Sequence, residues 1–167
     1  MPLAHQMIVR QACLKDMAAI VAFSSAMALE TEGRQLDQAR LREGTRSLLT
    51  APERGFFLVA ERVHTDSPHL IGQLMITYEW SDWRNGVFWW VQSVYVDPVW
   101  RRHGVYRSLH NHVVAQAKAD PEVCGIRLYV EQDNHTAKNV YEHVGLIPSS
   151  YEVYETDFVL VNRRLPM

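Results

Sequence analysis

The clearest chemical signal in the chain is a basic turn, Arg101-Arg102-His103, placed between an apolar strand and a helix. Backbone N–H groups at a helix N-terminus have no partner within the helix, and the helix dipole gives them a partial positive charge. Cationic side chains beside such a terminus complete a binding site for phosphate or diphosphate. We therefore predict an anion site at this turn.

Two elements must position the turn. The preceding strand ends at Val96, and Asp97-Pro98 stops it because proline cannot donate to a sheet ladder. Gly104 then opens a helix whose apolar residues recur at i, i+4 and i+8. An isolated R-x-x-G would be interpreted as an ordinary β–α turn, but this context favours anion binding. There is no P-loop and no GxGxxG fingerprint, so a diphosphate ligand outside those classes is the better inference.

The rest of the chain predicts the order β-α-α-β-β-β-α-β-α-β. The predicted strands cover 7–11, 56–63, 69–78, 87–96, 125–131 and 151–161, and the predicted helices cover 14–29, 37–49, 104–118 and a short segment after 134. Asn85-Gly86 is a hairpin signal, so the strands on its two sides are antiparallel. The strand at 125–131 returns after a helical crossover and should lie parallel to 87–96. Gly145 is placed directly after the end of the short helix, where glycine is favoured.

This order predicts an α/β (α+β) fold. We expect a single domain over 1–167, with a mixed, mostly antiparallel six- to seven-stranded sheet and helices on both faces. The last segment, 151–161, alternates loosely and predicts one strand or a hairpin.

Composition excludes several classes of protein. The 167 residues carry a net charge of −2, so nucleic-acid binding is not favoured. Cys13 and Cys124 are far apart, which favours a reduced, cytoplasmic protein. We predict no signal peptide, because the N-terminus lacks a basic n-region and a long apolar h-region. We predict no membrane span, because the chain lacks a run of about 18 apolar residues. The eight histidines form no HExxH motif and no zinc spacing, so we predict no metal site.

The segment 94–109 resembles motif A of the GNAT superfamily of acetyltransferases, whose [Q/R]-x-x-G-x-[G/A] loop grips the pyrophosphate of coenzyme A. Here the loop reads Arg101-Arg102-His103-Gly104-Val105-Tyr106, with Tyr106 in place of the usual small residue. A second segment resembles motif B, where a short helix carries an Asn and a Tyr beside the cofactor thiol: Asn134, Ala137, Tyr141 and Gly145-Leu146. The strand order also fits the family over nearly the whole chain.

The resemblance implies acetyl-CoA as co-substrate and a GNAT-like fold. In the family the strand before the loop splays from its parallel neighbour and opens a slot for the cofactor. The implied cofactor-binding residues are Val94, Tyr95, Val96, Arg101, Arg102, His103, Gly104, Val105, Tyr106, Arg107 and Asn134. Within this set a backbone N–H near Val94 or Tyr95 would face the developing oxyanion, and the N–H groups of 102–107 would hold the diphosphate.

Tyr141 is the candidate general acid, because a phenol with a pKa near 10 can protonate a thiolate with a pKa of about 8.5. On spacing alone it would be a core aromatic residue of an amphipathic helix, and the resemblance favours the acid. Asn134 is either a helix N-cap or a contact to the pantetheine arm. His103 is either a phosphate donor or a solvated loop residue.

The candidates on the acceptor side are less defined. They are the carboxylates Glu79, Asp82, Glu30 and Glu32, with Trp80 as a pocket wall. Glu79 is the candidate general base, although each carboxylate taken alone is more typical of an exposed residue, and water could do the same work. Together they form an acidic side that suits a cationic amine. Trp80 and Trp83 are either pocket walls or packing residues, and one of Trp89 and Trp90 must face the core.

The leading hypothesis is an N-acetyltransferase that works by direct attack in a ternary complex. The acceptor is a small cationic amine, with a peptide N-terminus as an alternative partner, and a homodimer is what the family suggests. A non-catalytic acyl-CoA-binding regulatory module and a structural domain without cofactor are the competing hypotheses.

Overall fold

The predicted change from helices to strands after residue 50 is confirmed in the computed structural model, which describes residues 7–63 and 69–160. By the contacts between its residues the chain divides into two compact units, Met1–Gln132 and Asp133–Met167. The first unit contains β1 (Met7–Gln11), α1 (Met17–Glu32), α2 (Gln38–Leu49), β2 (Gly55–Arg62), β3 (His69–Ser81), β4 (Gly86–Val96), α3 (Val105–Ala119) and β5 (Val123–Leu128). The second unit contains α4 (His135–His143). A single domain over 1–167 stays a prediction.

The sheet has the order β1-β2-β3-β4-β5. Three of its pairings are antiparallel, and β4 with β5 is the parallel one. The antiparallel hairpin at Asn85-Gly86 and the parallel return after α3 are therefore both confirmed. The hairpin loop itself covers 82–85, and Asn85 takes a positive φ of 45° there.

The two faces of the sheet are distinguished by the alternation of β2. Phe57 and Val59 pack with Ile20 of α1 and Leu48 of α2, whereas Leu58 and Ala60 belong to the cluster that contains α3. Because neighbouring residues of a strand point to opposite faces, β2 is buried from both sides. Helices on both faces are thus confirmed. Trp89, which is 8% exposed, faces the α3 side, as expected for one member of the Trp89–Trp90 pair.

The predicted strand count is wrong. The described residues contain five strands rather than six to seven, because 151–160 forms no strand. Its loose alternation breaks at Val153-Tyr154 and at Glu155-Thr156-Asp157, and strand preference is expressed only where a neighbouring strand supplies pairing. Val161, the predicted end of this strand, lies outside the described residues.

Element ends differ by a few residues from prediction. Residues Leu14–Asp16 form a 3₁₀ turn before α1, and α1 continues to Glu32 instead of ending at Leu29. The strand predicted at 125–131 is β5 at Val123–Leu128. Within the described ranges no helix is long and apolar enough to cross a bilayer.

Candidate active site

The C-terminal half of β4 has an open edge. Pairing with β5 runs from Val87 to Val91, whereas β4 itself continues to Val96. Within the described residues, no strand pairs with the β5-facing edge of β4 over 92–96. This divergence leaves backbone groups available to an extended ligand, as the resemblance implied.

A bulge interrupts β4 inside the open segment. On β3, Gln73 pairs with Tyr95 and Met75 pairs with Gln92, so two residues of β4 lie opposite one residue of β3. Ser93 occupies the bulge with a positive φ of 49°. A bulge of this kind bends the strand and re-aims its backbone groups.

The directions of the backbone N–H groups at the end of β4 follow from one hydrogen bond, which Asp97 N donates to the Ile71 carbonyl at 3.0 Å. Because N–H directions alternate along an extended strand, the Tyr95 N–H faces β3 and the Val96 N–H faces the open edge. Of the two predicted oxyanion donors, Tyr95 is therefore disfavoured. The Val94 N–H belongs to the peptide that follows Ser93, so the bulge sets its direction.

The basic turn follows immediately. A short 3₁₀ helix, Pro98–Trp100, is capped by the Asp97 carboxylate, which accepts from Val99 N at 3.0 Å. Arg102 and Gly104 then both take positive φ values, 66° and 82°. Backbone turns of this kind direct successive N–H groups into one concavity that suits an anion.

The helix start completes the turn. Ser108 N donates to the Gly104 carbonyl at 3.0 Å, which closes the first turn of α3. The three N–H groups before it, those of 105–107, have no acceptor within the helix, as is general for the first turn of an α-helix. Val105 is buried at 1% exposure and Leu109 at 0%, so the helix end that bears these groups is fixed by the core.

Tyr106, the departure from the family pattern, is half-buried on α3 and stacks at 5.8 Å from the His110 ring. The left-handed conformation that the turn needs is supplied two residues earlier, by Gly104. The His103 ring nitrogen Nδ1 lies 2.7 Å from the Arg101 carbonyl, so this nitrogen carries the proton and donates to the turn's own backbone.

Arg101 joins the turn to the end of α1. Its guanidinium donates to Glu30 Oε2 at 2.7 Å and to the Val96 carbonyl at 2.9 Å. The Tyr95 hydroxyl donates to the other Glu30 oxygen at 3.0 Å. The guanidinium lowers the pKa of the Glu30 carboxyl. The pKa of the Tyr95 hydroxyl is raised, mainly by burial and to a smaller extent by the Glu30 carboxylate. A predicted cofactor residue and a predicted acceptor residue are thus brought into direct contact.

The other predicted carboxylates lie elsewhere. Glu32 pairs with Arg34 at 3.3 Å. Glu79 accepts from Arg127 and, at 2.8 Å, from the Trp90 indole. Trp80 and Asp82 lie at the far end of the same hairpin, and Trp80 is 59% exposed.

Glu79, Trp80 and Asp82 lie far from the bulge along the β3–β4 hairpin. Glu79 pairs with Phe88, four residues beyond the Met75–Gln92 pair, which corresponds to about 13 Å along a strand. The structure therefore does not bring Glu79, Trp80 and Asp82 together with the bulge. Glu79 as the general base stays a prediction.

The sequence interpretation missed several polar side chains near the bulge. Gln92 donates to the Thr77 hydroxyl and accepts from the Tyr129 hydroxyl at 3.3 Å. Gln73 is fully buried at 0% exposure. The signal for Gln73 was present, since it is a lone polar residue inside the apolar run 70–76.

The second unit carries the motif B residues. Asn134 caps α4, because its side chain accepts from Ala137 N at 3.0 Å. At the other end Gly145 N donates to the Glu142 backbone carbonyl at 3.0 Å, and Leu146 N donates to the Tyr141 backbone carbonyl at 3.1 Å. This is the pattern of a Schellman cap. The N-cap interpretation of Asn134 and the placement of Gly145 are confirmed, and the pantetheine contact of Asn134 stays a prediction. Burial raises the pKa of the Tyr141 hydroxyl.

No group of three or more His, Cys, Asp or Glu side chains within the described part of the chain is arranged to hold a metal ion.

Known proteins provide an independent comparison. The family model "Acetyltransferase (GNAT) family" matches residues 21–146. A possible acetyltransferase from Clostridium difficile 630 is 37% identical and superposes with a TM-score of 0.84, covering 93% of this chain and 99% of that one. No curated protein gives a significant match.

Two more distant structures share the fold. A predicted acetyltransferase from Clostridium acetobutylicum, solved with acetyl-CoA, is 18% identical with a TM-score of 0.71, covering 90% of this chain and 96% of that one. Glucosamine-6-phosphate N-acetyltransferase from Arabidopsis thaliana is 14% identical with a TM-score of 0.66, covering 90% of this chain and 97% of that one.

Proposed function

The chain belongs to the GNAT family of acetyltransferases, and from this membership we propose that it transfers the acetyl group of acetyl-CoA to a primary amine. The amine attacks the thioester directly in a ternary complex, since neither Cys13 nor Cys124 has a base motif beside it in the sequence. One observation carries the proposal: the open edge of β4 leads directly into the basic turn at the start of α3. A ligand with a peptide-like arm and a diphosphate matches both features.

The pantetheine arm would bind along the open edge of β4 as an added strand binds a sheet, using backbone groups of 94–96. The diphosphate would accept from the N–H groups of 102–107. Arg102 is exposed at the turn, whereas the Arg101 charge is shared with Glu30. This difference assigns more of the electrostatic attraction to Arg102 and to the backbone than to Arg101.

The acetyl transfer itself needs a donor for the oxyanion and a proton for the leaving group. As the amine nitrogen bonds to the thioester carbon, the carbonyl oxygen gains negative charge, which the Val94 N–H would stabilise. When the C–S bond breaks, the thiolate would take a proton from the Tyr141 hydroxyl. The amine loses its own proton to a base, for which water and Glu79 are the two candidates.

We propose a small cationic amine as the acceptor class and a peptide N-terminus as the second class to test. Three of the four predicted acceptor carboxylates are paired with arginines: Glu30 with Arg101, Glu32 with Arg34 and Glu79 with Arg127. Attraction of a cation therefore falls mainly to Asp82 and to the exposed face of Trp80, which lie at the hairpin end and would act on the approaching amine at a distance from the bulge. A cytoplasmic location and the homodimer suggested by the family belong to the same proposal.

The decisive experiment measures free thiol released from acetyl-CoA against a panel of amines, with product identified by mass. We expect thiol release that depends on one class of primary amine, together with a thermal shift on adding coenzyme A. A thermal shift without thiol release from any amine would favour the non-catalytic acyl-CoA-binding module. The absence of both would refute the proposed function.

Replacing Glu30 with glutamine should tighten coenzyme A binding about threefold, because the Arg101 charge beside the anion site is then no longer neutralised. The glutamine amide keeps an oxygen that can accept from Arg101, so the geometry is retained. Calorimetric titration at low and high salt would measure the effect, and the gain should shrink at high salt.

Glu32→Gln is the matched control, since Glu32 lies at the same end of α1 but pairs with Arg34 instead of the turn. Its dissociation constant for coenzyme A should stay close to that of the wild type. Weaker binding in Glu30→Gln would mean that the ion pair shapes the turn, and the electrostatic explanation would be wrong.

A further inference from the structure

Gln73 is an unusual residue for the centre of a sheet. Its side chain is fully buried at 0% exposure within the apolar strand β3. Its Nε2 donates to the Ser24 hydroxyl of α1 at 3.1 Å and reaches the Ser93 carbonyl at 3.5 Å. Its Oε1 has no hydrogen-bond partner among the described residues. Because an unsatisfied buried acceptor destabilises a protein, stability alone does not account for a glutamine here.

The contact with Ser93 falls on the bulge of β4. Ser93 holds a positive φ of 49°, a conformation that costs a non-glycine residue energy and persists only where its surroundings enforce it. On both sides of the bulge the segment 92–96 pairs with β3, and within the described residues no strand pairs with its other edge. The Gln73 amide, oriented by Ser24 from α1, is a polar anchor that reaches the bulge from the buried side.

The contact between Gln73 and the Ser93 carbonyl also determines the orientation of the Val94 N–H, because both groups belong to one peptide. The described residues contain no cis peptide bond, so the Ser93 carbonyl and the Val94 N–H belong to one trans plane and point in opposite directions. When the carbonyl is turned towards the buried Gln73 amide, the N–H is turned away from that amide. The orientation of one amide side chain thereby fixes the orientation of the proposed oxyanion donor.

We propose that Gln73 is a positioning residue, which holds the Ser93–Val94 peptide so that the Val94 N–H faces the thioester carbonyl. This proposal rests on the proposed function for its catalytic consequence, whereas its structural part stands on the bulge alone. The effect belongs to the transition state, because the N–H bond strengthens as negative charge develops on the oxygen. Loss of Gln73 should therefore reduce kcat rather than the affinity for coenzyme A.

The test replaces Gln73 with methionine, which has a similar shape but no amide. We expect an unchanged or higher melting temperature, since the unsatisfied Oε1 is removed. We expect kcat to fall about tenfold, because the donor remains but is less well fixed, while the Kd for coenzyme A stays within about twofold. Hydrogen exchange of the unliganded protein should show faster exchange across 93–96 and no change elsewhere in β3 and β4.

Ser24→Ala provides a graded second variant, because it removes one partner of the Gln73 amide and leaves the contact with Ser93. Its kcat should fall less than that of Gln73→Met. Ser25→Ala is its control: Ser25 is the next residue of α1 and contacts Gln38 at 3.1 Å instead. It should behave as the wild type in every measurement.

Failure of this proposal is separable from failure of the proposed function. If the wild type releases thiol, equal kcat values for Gln73→Met and wild type overturn the positioning role. If the wild type releases none with any amine, the proposed function fails, and the exchange measurement still decides whether Gln73 holds the bulge. Unchanged exchange across 93–96 in Gln73→Met overturns the proposal in either case.

Discussion

Replacing Tyr141 with phenylalanine should lower kcat for acetyl transfer by about 100-fold, the loss typical of a missing general acid. The dissociation constant for acetyl-CoA should stay within about twofold, because in the proposed mechanism the hydroxyl acts on the sulfur only as the C–S bond breaks. Steady-state thiol release combined with calorimetric titration of coenzyme A separates the two quantities.

In the proposed mechanism, the raised pKa of Tyr141 requires its hydroxyl to lie close to the sulfur. Burial raises this pKa, so the phenol is fully protonated at neutral pH and is ready to donate. Transfer from a phenol of ordinary pKa to a thiolate of pKa about 8.5 is uphill by about 2 kcal/mol, and the raised pKa adds to this cost. The transfer is therefore efficient only within hydrogen-bond distance.

The sign of this shift predicts the pH dependence. A raised pKa keeps the acid protonated, so its deprotonation should cause no loss of kcat on the alkaline side below about pH 10. Any decline of kcat that begins below about pH 10 must come from the titration of another group. In Tyr141→Phe, the residual kcat should lack the decline that belongs to the phenol.

Tyr78→Phe is the matched control, since burial also raises the pKa of Tyr78, which lies on β3 on the face that packs with α3. Its kcat should remain close to that of the wild type. If Tyr141→Phe also retains full turnover, Tyr141 is not the acid, and a water molecule becomes the proton source.

Local signals in the sequence predicted the caps and turns well. Asn134 and Gly145 mark the two ends of α4 because each acts through backbone bonds only a few residues away. Asp37, which was predicted only as the first residue of the second helix, is the N-cap of α2 and accepts from Arg40 N at 2.7 Å. The basic turn was equally local, since Pro98 and Gly104 fix its start and end.

Contacts between distant residues were beyond prediction. Arg101 and Glu30 are 71 residues apart, and Arg127 and Glu79 are 48 residues apart. Which charges meet depends on strand register and on where a helix crosses the sheet, and neither is encoded in a local pattern. The predicted acidic acceptor side therefore did not reveal that most of its charges are paired.

The bulge was missed for a related reason. Ser93 lies in an unbroken strand-forming run with no glycine to signal a positive φ. The extra residue becomes visible only when β4 is aligned with β3, where Gln73 pairs with Tyr95. A polar residue inside an apolar strand, such as Gln73, is the one hint that the sequence contained.

Replacing Gly104 with alanine should weaken coenzyme A binding about 30-fold, which corresponds to the loss of roughly one charge-assisted hydrogen bond. Gly104 holds a φ of 82° at the start of α3, a conformation that alanine adopts only with strain. If the backbone relaxes, the N–H groups of the turn no longer converge on the diphosphate. Calorimetric titration of coenzyme A measures the change directly.

Gly33→Ala separates this effect from strain in general. Gly33 ends α1 with a φ of 60°, and no described heavy atom lies within 4 Å of the Cβ that alanine would add at either glycine. The two substitutions therefore carry a similar backbone cost, about 1–2 kcal/mol, and should lower the melting temperature to a similar extent.

Only Gly104 lies in the turn, so only its replacement should change the affinity. Suppose alanine at 104 keeps the left-handed conformation: its methyl group then projects into the open space beside the turn, where the diphosphate would lie, and binding weakens through steric exclusion. Relaxation and exclusion thus give the same result by different routes. Equal affinities for Gly104→Ala and Gly33→Ala would show that the turn at 101–104 is not the diphosphate site, whatever their melting temperatures.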